Sequence, residues 1–423
     1  MSSKSELLYD VHEKPPVATW LALSFQHVFA MFGATVLVPI LTGLPVSVAL
    51  FASGVGTLIY ILATKAKVPV YLGSSFAYIG AVVIAKESMG GDISAAQTGL
   101  ILVGLVYVVV ALVVKFVGKD WVDKLLPPII IGPMIIIIGM GLAPVAISSS
   151  GFVDGGDPRV IWTAIATFVI TAATMVLAKG FLKIVPFVIG ILGGYAVAVF
   201  LGLVDLSVVA AAPWLSVPEF YFPFAIGNFG TYQLYFGPET WVIVPIAIVT
   251  ISEHIGDHTV LGKICNRNFL KDPGLEATLL GDGLATSVSA FLGGPANTTY
   301  GENTGVVGLT KVASVYVTGG AAVLAIVISF IGKVSAAIST VPWAVIGGMS
   351  ILLYGFIASN GLRVLIDEKV DFSKRRNVII ASTMLVLGLG GAMFKLVGLA
   401  SLSGTALAAI VGIVLNLILP QEE

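Results

Sequence analysis

The sequence is poor in charge. Only 11% of its 423 residues are Asp, Glu, Lys or Arg, whereas 57% are hydrophobic and 48 are glycine. Soluble domains carry about 25% charged residues, so the composition excludes a soluble globular protein. Nucleic-acid binding is disfavoured because the net charge is −1 and the longest basic run is the triplet 374–376. The class that remains is a polytopic membrane protein.

Cysteine is almost absent. Cys265 is the single cysteine, so no disulfide can form within the chain. The sequence has neither a metal-ligand cluster nor a Gly-x-Ser-x-Gly nucleophile elbow, which counts against an intramembrane enzyme. We therefore expect no enzymatic activity, no cofactor and no bound metal. Residues 1–15 are polar and the apolar run after them is too long for a signal peptide, so we expect no removable one.

Long apolar runs fill most of the chain. A membrane-spanning helix needs about 20 apolar residues, and the composition has room for about 12 to 14 such helices. Residues 69–75 and 295–300 are polar and look extended, and they open the third and tenth runs. We predict an all-α polytopic membrane protein with extended stretches in segments 3 and 10. Its fourteen transmembrane segments are predicted at 17–42, 45–64, 70–86, 95–115, 126–147, 160–178, 184–204, 239–260, 275–292, 301–311, 313–332, 338–358, 377–392 and 398–419.

The cationic residues divide unevenly between the two sides of these segments. With a cytoplasmic N-terminus and alternating segments, nearly all of the 22 Lys and Arg residues fall on the cytoplasmic side. The exceptions are Lys86, Arg159, Lys333 and Lys395. This asymmetry follows the positive-inside rule, and it predicts an even number of segments with both termini in the cytoplasm.

Short motifs recur in the two halves of the chain in the same order. They pair segment 1 with segment 8, segment 3 with segment 10, and segment 5 with segment 12. A repeat of seven segments is odd in number, so the second repeat must lie inverted in the membrane, as in many secondary transporters. The alternative is that these short motifs recur by chance, because the sequence is built from few residue types that are mostly apolar. The matched pairs are 26–28 with 253–255, 68–69 with 294–295, and 127–134 with 342–349.

Segment 8 holds several of the few ionisable residues inside predicted segments, where charge is costly and usually functional. Glu253 and Asp257 are four residues apart and share a helix face. Two like charges on one dry face repel each other, so we expect one carboxyl group to hold a proton and to serve proton coupling. His258 is expected to point elsewhere, toward the cytoplasmic end. The alternative is a solvated helix end for Asp257 and His258.

Segments 3 and 10 are predicted to be broken elements. In segment 10, Pro295 and the pair 298–299 favour an extended stretch, after which a helix could begin at Glu302. The stretch 73–76 of segment 3 follows the same logic. Irregular backbone at membrane depth is tolerated only where it lines a cavity or is buried in protein. Two broken elements at matching repeat positions therefore indicate a substrate site, and capping of the helix is the alternative role for Glu302.

Two other ionisable residues lie inside predicted segments. His27 in segment 1 is interpreted mainly as a structural residue that ties this segment to its neighbours, with proton coupling as its other possible role. Asp282 could bond the extended stretch of segment 10 or lie near a segment end, and both alternatives stay open.

The residues 302–311 resemble a family signature. They fit the pattern Asn-x-Gly-x4-Thr, preceded by Gln, Glu or Pro and followed by Arg, Lys or Gly, of the nucleobase–ascorbate transporter family, also called nucleobase–cation symporter family 2. The pair 26–27 and the stretches 73–76 and 252–254 are similar to other motifs of that family. The resemblance covers nearly the whole chain. Residues 297–303 look most like its uracil-transporting bacterial branch, and purine-transporting members often have Gln at the position of Glu302.

The resemblance implies a fold and a mode of transport. The fold is one of fourteen segments in two inverted repeats of seven. The implied activity is proton symport by a commonly dimeric protein, in which a core domain shifts like an elevator against a gate domain. The implied parts are a cytoplasmic tail (1–16), a core domain (17–115 and 239–332), a gate domain (116–204 and 333–423) and an extracellular loop (205–238).

The resemblance also assigns a substrate site. Glu253 and Glu302 would hold the base, the backbone of Phe76 and Gly301 would add contacts, and Tyr300 would line the site. Uracil is neutral and presents two N–H donors and two carbonyl acceptors. Carboxyl groups suit this pattern, because a carboxylate accepts and a protonated carboxyl donates, and the ligand needs no Lys or Arg in the site.

Proton coupling would involve Asp257, Glu253 and His27. Asp257 stands where some uracil-transporting relatives have His, although many other members carry Asp there. The position therefore leaves open which group relays the proton.

We therefore predict a multi-pass protein of the cytoplasmic membrane that imports uracil with protons. A purine or xanthine permease of the same family is the first alternative. An anion transporter with the same seven-plus-seven architecture is less favoured, because such relatives favour cationic residues near the broken elements. The expected partners are uracil or a related nucleobase, protons, the lipid bilayer and a second copy of the chain, but no nucleic acid.

Overall fold

The protein folds largely into helices. A computed structural model describes residues 7–179, 182, 185–395, 401–402 and 404–420. The α-helices of the first half are α1 (Val17–Thr42), α2 (Val46–Ala63), α3 (Ile79–Ser88), α4 (Ser94–Val117), α5 (Asp120–Leu125), α6 (Pro128–Gly141), α7 (Ala143–Ser149), α8 (Pro158–Leu177), α9 (Pro186–Phe200) and α10 (Ser207–Ala211). Those of the second half are α11 (Pro238–Trp241), α12 (Ala247–Cys265), α13 (Leu275–Phe291), α14 (Gly301–Thr310), α15 (Val315–Ser329), α16 (Gly332–Ser339), α17 (Trp343–Asp367), α18 (Arg375–Leu389) and α19 (Gly404–Ile418).

Short strands and tight turns complete the secondary structure. Phe76–Tyr78 and Val244–Ile246 are single 3-10 turns, and Leu270–Gly274 is a π-helical turn. The strands form three pairs in the described residues. They are β1 (Leu72–Ser74) antiparallel to β4 (Asn297–Thr299), β2 (Tyr221–Phe222) parallel to β3 (Gly230–Thr231), and β5 (Phe394–Lys395) antiparallel to β6 (Ser401–Leu402).

Several helices match the dimensions of a membrane. Within the described residues, seven helical stretches are long and apolar enough to cross one, and three apolar helices are shorter. A chain with this many apolar helices is a multi-pass membrane protein. The count of fourteen segments stays a prediction. The seven stretches are Val17–Thr42, Val46–Ala63, Ser94–Val117, Pro128–Ser149, Pro158–Leu177, Pro238–Cys265 and Trp343–Asp367.

Some predicted segment boundaries differ from the observed helices. The predicted segment 338–358 is displaced, because residues 332–339 form the separate helix α16 and α17 begins only after Pro342 and runs to Asp367. The predicted segment 126–147 is divided between α6 and α7. The predicted segment 398–419 begins outside the described residues, and its observed helix is α19.

The pair of β1 and β4 joins the two halves of the chain. Leu72 lies opposite Thr299 and Gly73 lies opposite Thr298. A side chain at residue 73 would overlap the ring of Tyr300, so the crossing requires glycine there. The Phe76 turn leads from β1 into α3, and α14 begins two residues after β4. Two helices thus start at the two ends of one short strand pair.

The helices pack in two groups, and small residues lie where helices of the same group touch. One group contains α2, α4, α13 and α15, and the other contains α6, α8, α9 and α17. A Cβ on Gly104 of α4 would overlap the carbonyl oxygen of Gly283 on α13, and one on Gly361 of α17 would crowd Gly132 on α6. Such contacts bring helix backbones close together, as is common in membrane proteins. Helices α1 and α12 contact both groups.

The tail and the long loop cover different ends of the helices. In the tail, Asp10 forms an ion pair with Arg267 just beyond α12, at 2.7 Å. In the loop 205–238, the ring of Phe220 packs edge to face against Phe51 near the start of α2, with ring centroids 5.0 Å apart. The tail therefore lies at the C-terminal end of α12, and the loop lies at the N-terminal end of α2.

Candidate functional site

A cavity of about 510 Å³ lies between α12, β4 and α14 on one side and α6, α8, α9 and α17 on the other. Helix α12 forms part of its wall with Glu253, Gly256, Asp257 and Val260. These residues are three or four positions apart and so share one helix face. The cavity continues along α12 to Ile264, near the end of the helix. The two carboxyl groups of segment 8 therefore line one space.

Strand β4 and the start of α14 form the adjoining wall. Thr298, Thr299, Tyr300, Gly301 and Glu302 line the cavity one after another. No side chain caps the N-terminus of α14, and the N–H groups of a first helical turn have no partner within the helix. This helix start therefore offers hydrogen-bond donors and the positive end of a helix dipole to a ligand.

Phe76 brings a second helix start to the cavity. It is the first residue of the 3-10 turn that follows β1, and only 7% of it is exposed. Its ring meets the ring of Tyr354 edge to face, with centroids 6.0 Å apart. A flat ligand would find an aromatic surface here.

Three carboxyl side chains share the cavity. The Thr299 hydroxyl donates a hydrogen bond to Asp257 Oδ2 at 2.7 Å, which fixes the position of that group. Glu253 Oε2 is buried and has no hydrogen-bond partner among the described residues. Glu302 in the first turn of α14 adds the third carboxyl group. Ionising all three in so small a space is costly, so the cavity favours a bound proton or a ligand with N–H donors.

The facing wall of the cavity is largely apolar. Its apolar residues are Ile135 of α6, Met175 of α8, Pro186 and Phe187 of α9, and Leu353, Phe356, Ile357 and Val364 of α17. Helix α17 adds two polar side chains, Asn360 and Arg363. Arg363 lies beyond the predicted end of segment 12, and the longer helix α17 carries it to the cavity.

Tyr300 lines the cavity, but its hydroxyl is already engaged. It donates a hydrogen bond to the carbonyl oxygen of Ser74 and accepts one from Thr35 Oγ1, each at 3.1 Å. The ring lies against Gly73. Tyr300 therefore holds the strand pair in place and presents only part of its surface to the cavity.

The structure places His27 outside the cavity lining. His27 is 1% exposed, and its Nδ1 accepts a hydrogen bond of 3.0 Å from the amide of Asn303. The same amide donates to the His27 carbonyl oxygen at 3.2 Å. Because Asn303 follows Glu302, this contact ties α1 to the helix that carries one of the cavity carboxyl groups. A role of His27 in proton coupling stays a prediction.

A second polar cluster lies behind α12, away from the cavity. His254 Nδ1 bonds Asp282 Oδ2 of α13 at 2.8 Å, and both side chains are fully buried. His258 stacks on His254, with ring centroids 4.0 Å apart, and bonds the Tyr60 hydroxyl of α2. His258 is only 1% exposed, so the alternative that it is solvated is wrong. Asp282 bonds His254 rather than the extended stretch, and it lies near the middle of α13 rather than at its end.

The sequence reasoning missed Thr299 and Asn360 as cavity residues. The sequence pattern marks Thr299 only as a β-branched residue that favours an extended stretch. Nothing in the spacing of the residues indicates its bond to Asp257. Asn360 lies beyond the predicted end of segment 12, so it was placed outside the membrane. A correct boundary for α17 would have revealed it as a polar residue within a membrane helix.

The described part of the chain contains no group of three or more His, Cys, Asp or Glu residues placed to hold a metal ion. What the cavity offers is acceptors and donors for hydrogen bonds, an aromatic ring and two helix starts. These groups bind and orient a small ligand.

Comparisons with known proteins extend over nearly the whole chain. A family model described as a permease family matches residues 18–397. The chain is 51% identical over 419 residues to the uracil permease of Bacillus caldolyticus, covering 97% of this chain and 94% of that protein. It is 46% identical over 433 residues to the uracil permease of Bacillus subtilis strain 168, covering 100% and 97%. These matches confirm the family resemblance found in the sequence.

A solved structure is similar in fold. The transmembrane domain of the cyanobacterium bicarbonate transporter BicA superposes with a TM-score of 0.62, covering 96% of this chain and 99% of that chain. The two sequences are 12% identical, so this likeness concerns the fold alone.

Proposed function

The chain belongs to this permease family, and we propose that it imports uracil together with protons. As a member of a permease family it is a transporter and not an enzyme. The observation that carries the proposal is the cavity in which Glu253, Asp257 and Glu302 meet the helix starts at Phe76 and Gly301. The identity with uracil permeases supports uracil as the nucleobase.

The cavity suits a small, flat, neutral base. Its volume of about 510 Å³ lies within the usual range for small-molecule sites. Carboxylate oxygens of Glu253 and Glu302 would accept hydrogen bonds from the two N–H groups of uracil. Backbone N–H groups at Phe76 and Gly301 would donate to its carbonyl oxygens, and the Phe76 ring would lie against its face.

The same carboxyl groups provide a site for the coupled proton. A neutral ligand does not neutralise Glu253, Asp257 and Glu302, so at least one of them would carry a proton while the base is bound. Asp257 is held by Thr299, whereas Glu253 Oε2 has no partner among the described residues. His27 could influence Glu302 through its contact with Asn303.

The helix contacts support two inverted repeats of seven segments. In that arrangement segment 4 corresponds to segment 11, and segment 9 corresponds to segment 2. The contact of α4 with α13 and the contact of α15 with α2 would then be two copies of the same contact. The contacts of α8 with α9 and of α18 with α19 correspond in the same way. The cavity has α1, α12 and α14 on one side and α6, α8, α9 and α17 on the other. This division suits a core domain (17–115 and 239–332) that moves against a gate domain (116–204 and 333–423).

The remaining parts of the proposal concern location and assembly. We place the protein in the cytoplasmic membrane with both termini, including the tail 1–16, in the cytoplasm and the loop 205–238 outside, as the cationic asymmetry indicates. We propose a homodimer on the family resemblance.

A purine or xanthine permease is the second candidate function. The hydrogen-bonding groups of the cavity suit any base with adjacent N–H and carbonyl groups, and a cavity of about 510 Å³ has room for two fused rings. Glu at residue 302 favours uracil. Transport of small anions is disfavoured, because three carboxyl groups line the cavity and would repel an anion.

Replacing Glu302 by Gln tests the site. Glu302→Gln keeps the size of the side chain but removes an acceptor and a charge, and hydrogen bonds to charged groups are worth about 10- to 100-fold in affinity. We expect the Kd for uracil, measured with purified protein, to rise within that range. Glu87→Gln, on the exposed end of α3, is the matched control and should bind like the wild type. A Kd for uracil in Glu302→Gln equal to that of the wild type would contradict the assignment of Glu302 to the substrate site.

A further inference from the structure

The wall opposite the carboxyl groups carries one amide side chain. Helix α17 lines the cavity with apolar residues except at Asn360 and Arg363. Arg363 lies one turn further toward the end of the helix and is exposed. Asn360 is half-buried and faces the level at which α14 begins.

Gly301 fixes the position of this amide relative to the carboxyl groups. The point that a Cβ on Gly301 would occupy lies 3.2 Å from Asn360 Nδ2 and 3.9 Å from Asp257 Oδ1. The amide of α17 and the carboxyl group of α12 therefore both lie beside the start of α14. Any ligand held at Gly301 lies within reach of both.

The amide has no partner in the described part of the chain. Asn360 takes part in no hydrogen bond there, whereas its neighbour Ser359 bonds the carbonyl oxygen of Gly355 on its own helix at 2.8 Å. The amide of Asn303 near the same site is engaged with His27. A half-buried amide on an apolar wall loses hydrogen bonds to water without gaining others. A ligand in the cavity would supply them.

We propose that Asn360 donates a hydrogen bond from Nδ2 to a carbonyl oxygen of the nucleobase held at Gly301, and so is a specificity-determining residue on the α17 wall. The inference rests on the proposed function. A carbonyl oxygen has two lone pairs, so it can accept from the amide and from a backbone N–H at the same time. The base would then contact α17 as well as α12 and α14.

Uptake kinetics with matched ligands and variants test the proposal. Asn360→Leu keeps the branched shape of the side chain and removes its hydrogen bonds, and Asn360→Ala is the second variant. In both we expect the KM for uracil to rise about three- to tenfold, as for one lost hydrogen bond between neutral groups. Ser359→Ala, whose side chain bonds only its own helix, is the control and should keep the wild-type KM.

Thiouracils separate ligand contact from a structural effect. Sulfur is a weak acceptor of hydrogen bonds. One of the two compounds 2-thiouracil and 4-thiouracil carries its sulfur at the position that Asn360 contacts. We expect that compound to compete less well with uracil in the wild type. In both Asn360 variants that penalty should disappear. An unchanged KM, or thiouracil penalties equal in wild type and variants, would overturn the inference. Absence of uracil uptake by the wild type would instead overturn the proposed function.

Discussion

At the scale of single residues, the candidate site depends on how its polar groups are paired. Thr299 fixes Asp257, Asn303 fixes His27, and Glu253 Oε2 is left without a partner among the described residues. The carboxyl groups of the cavity are thus held in place to different degrees, because Asp257 has a hydrogen-bond donor and Glu253 Oε2 has none. The sequence identified all three carboxyl groups, because ionisable residues are scarce in the apolar segments. It could not identify their partners, which come from distant parts of the chain.

The bond between Thr299 and Asp257 leads to a residue-scale prediction. Thr299→Val keeps the shape of the side chain and removes the hydroxyl that donates to Asp257. We expect the rate of uracil uptake to fall about tenfold, because a hydrogen bond to a charged group is lost. Uptake into proteoliposomes at a fixed proton gradient measures this.

The matched control for that measurement is Thr259→Val. The Thr259 hydroxyl bonds the carbonyl oxygen of Ile255 within α12 and does not line the cavity. It should leave uptake unchanged. If Thr299→Val transported uracil as well as Thr259→Val does, Asp257 would not depend on Thr299.

At the scale of elements, the strand pair of β1 and β4 positions both helix starts. Proline and β-branched residues in the stretches 69–75 and 295–300 favour extended backbone there. The pairing register, with Gly73 opposite Thr298, follows from contacts between distant parts of the chain and is not encoded in either stretch alone. The prediction ends segment 12 at residue 358, whereas α17 continues through Asn360 and Arg363, which line the cavity.

The close approach at Gly73 leads to an element-scale prediction. The methyl group of Gly73→Ala would overlap the ring of Tyr300, whose hydroxyl is held by Thr35 and Ser74. Overpacking of this kind costs about 1–3 kcal/mol. We expect a lower Tm for the purified protein and weaker uracil binding.

Gly80→Ala is the control for this change. A Cβ on Gly80 would meet no atom within 4 Å, and alanine favours a helix relative to glycine. Its Tm should equal or exceed that of the wild type. A Gly73→Ala protein as stable as Gly80→Ala would show that the strand pair tolerates a side chain at its crossing.

At the scale of the whole molecule, α12, β4 and α14 form an acidic wall of the cavity, and α6, α8, α9 and α17 form the apolar wall that faces it. The scarcity of charge in the sequence predicts a membrane protein, and the recurrence of motifs predicts related halves. Sequence reasoning could not place the wall formed by α6, α9 and α17, because its apolar residues resemble those that face lipid. Only packing distinguishes Phe187 and Leu353, which line the cavity, from apolar residues elsewhere.

The central claim is that this cavity carries uracil coupled to protons, and uptake of radiolabelled uracil into proteoliposomes tests it most directly. With the lumen less acidic than the outside, the account predicts uracil accumulation that a protonophore abolishes. Unlabelled uracil should compete strongly, xanthine weakly, and bicarbonate or sulfate not at all. Accumulation that is indifferent to the protonophore would contradict proton coupling. No uracil uptake, or competition by xanthine equal to that by uracil, would contradict the substrate.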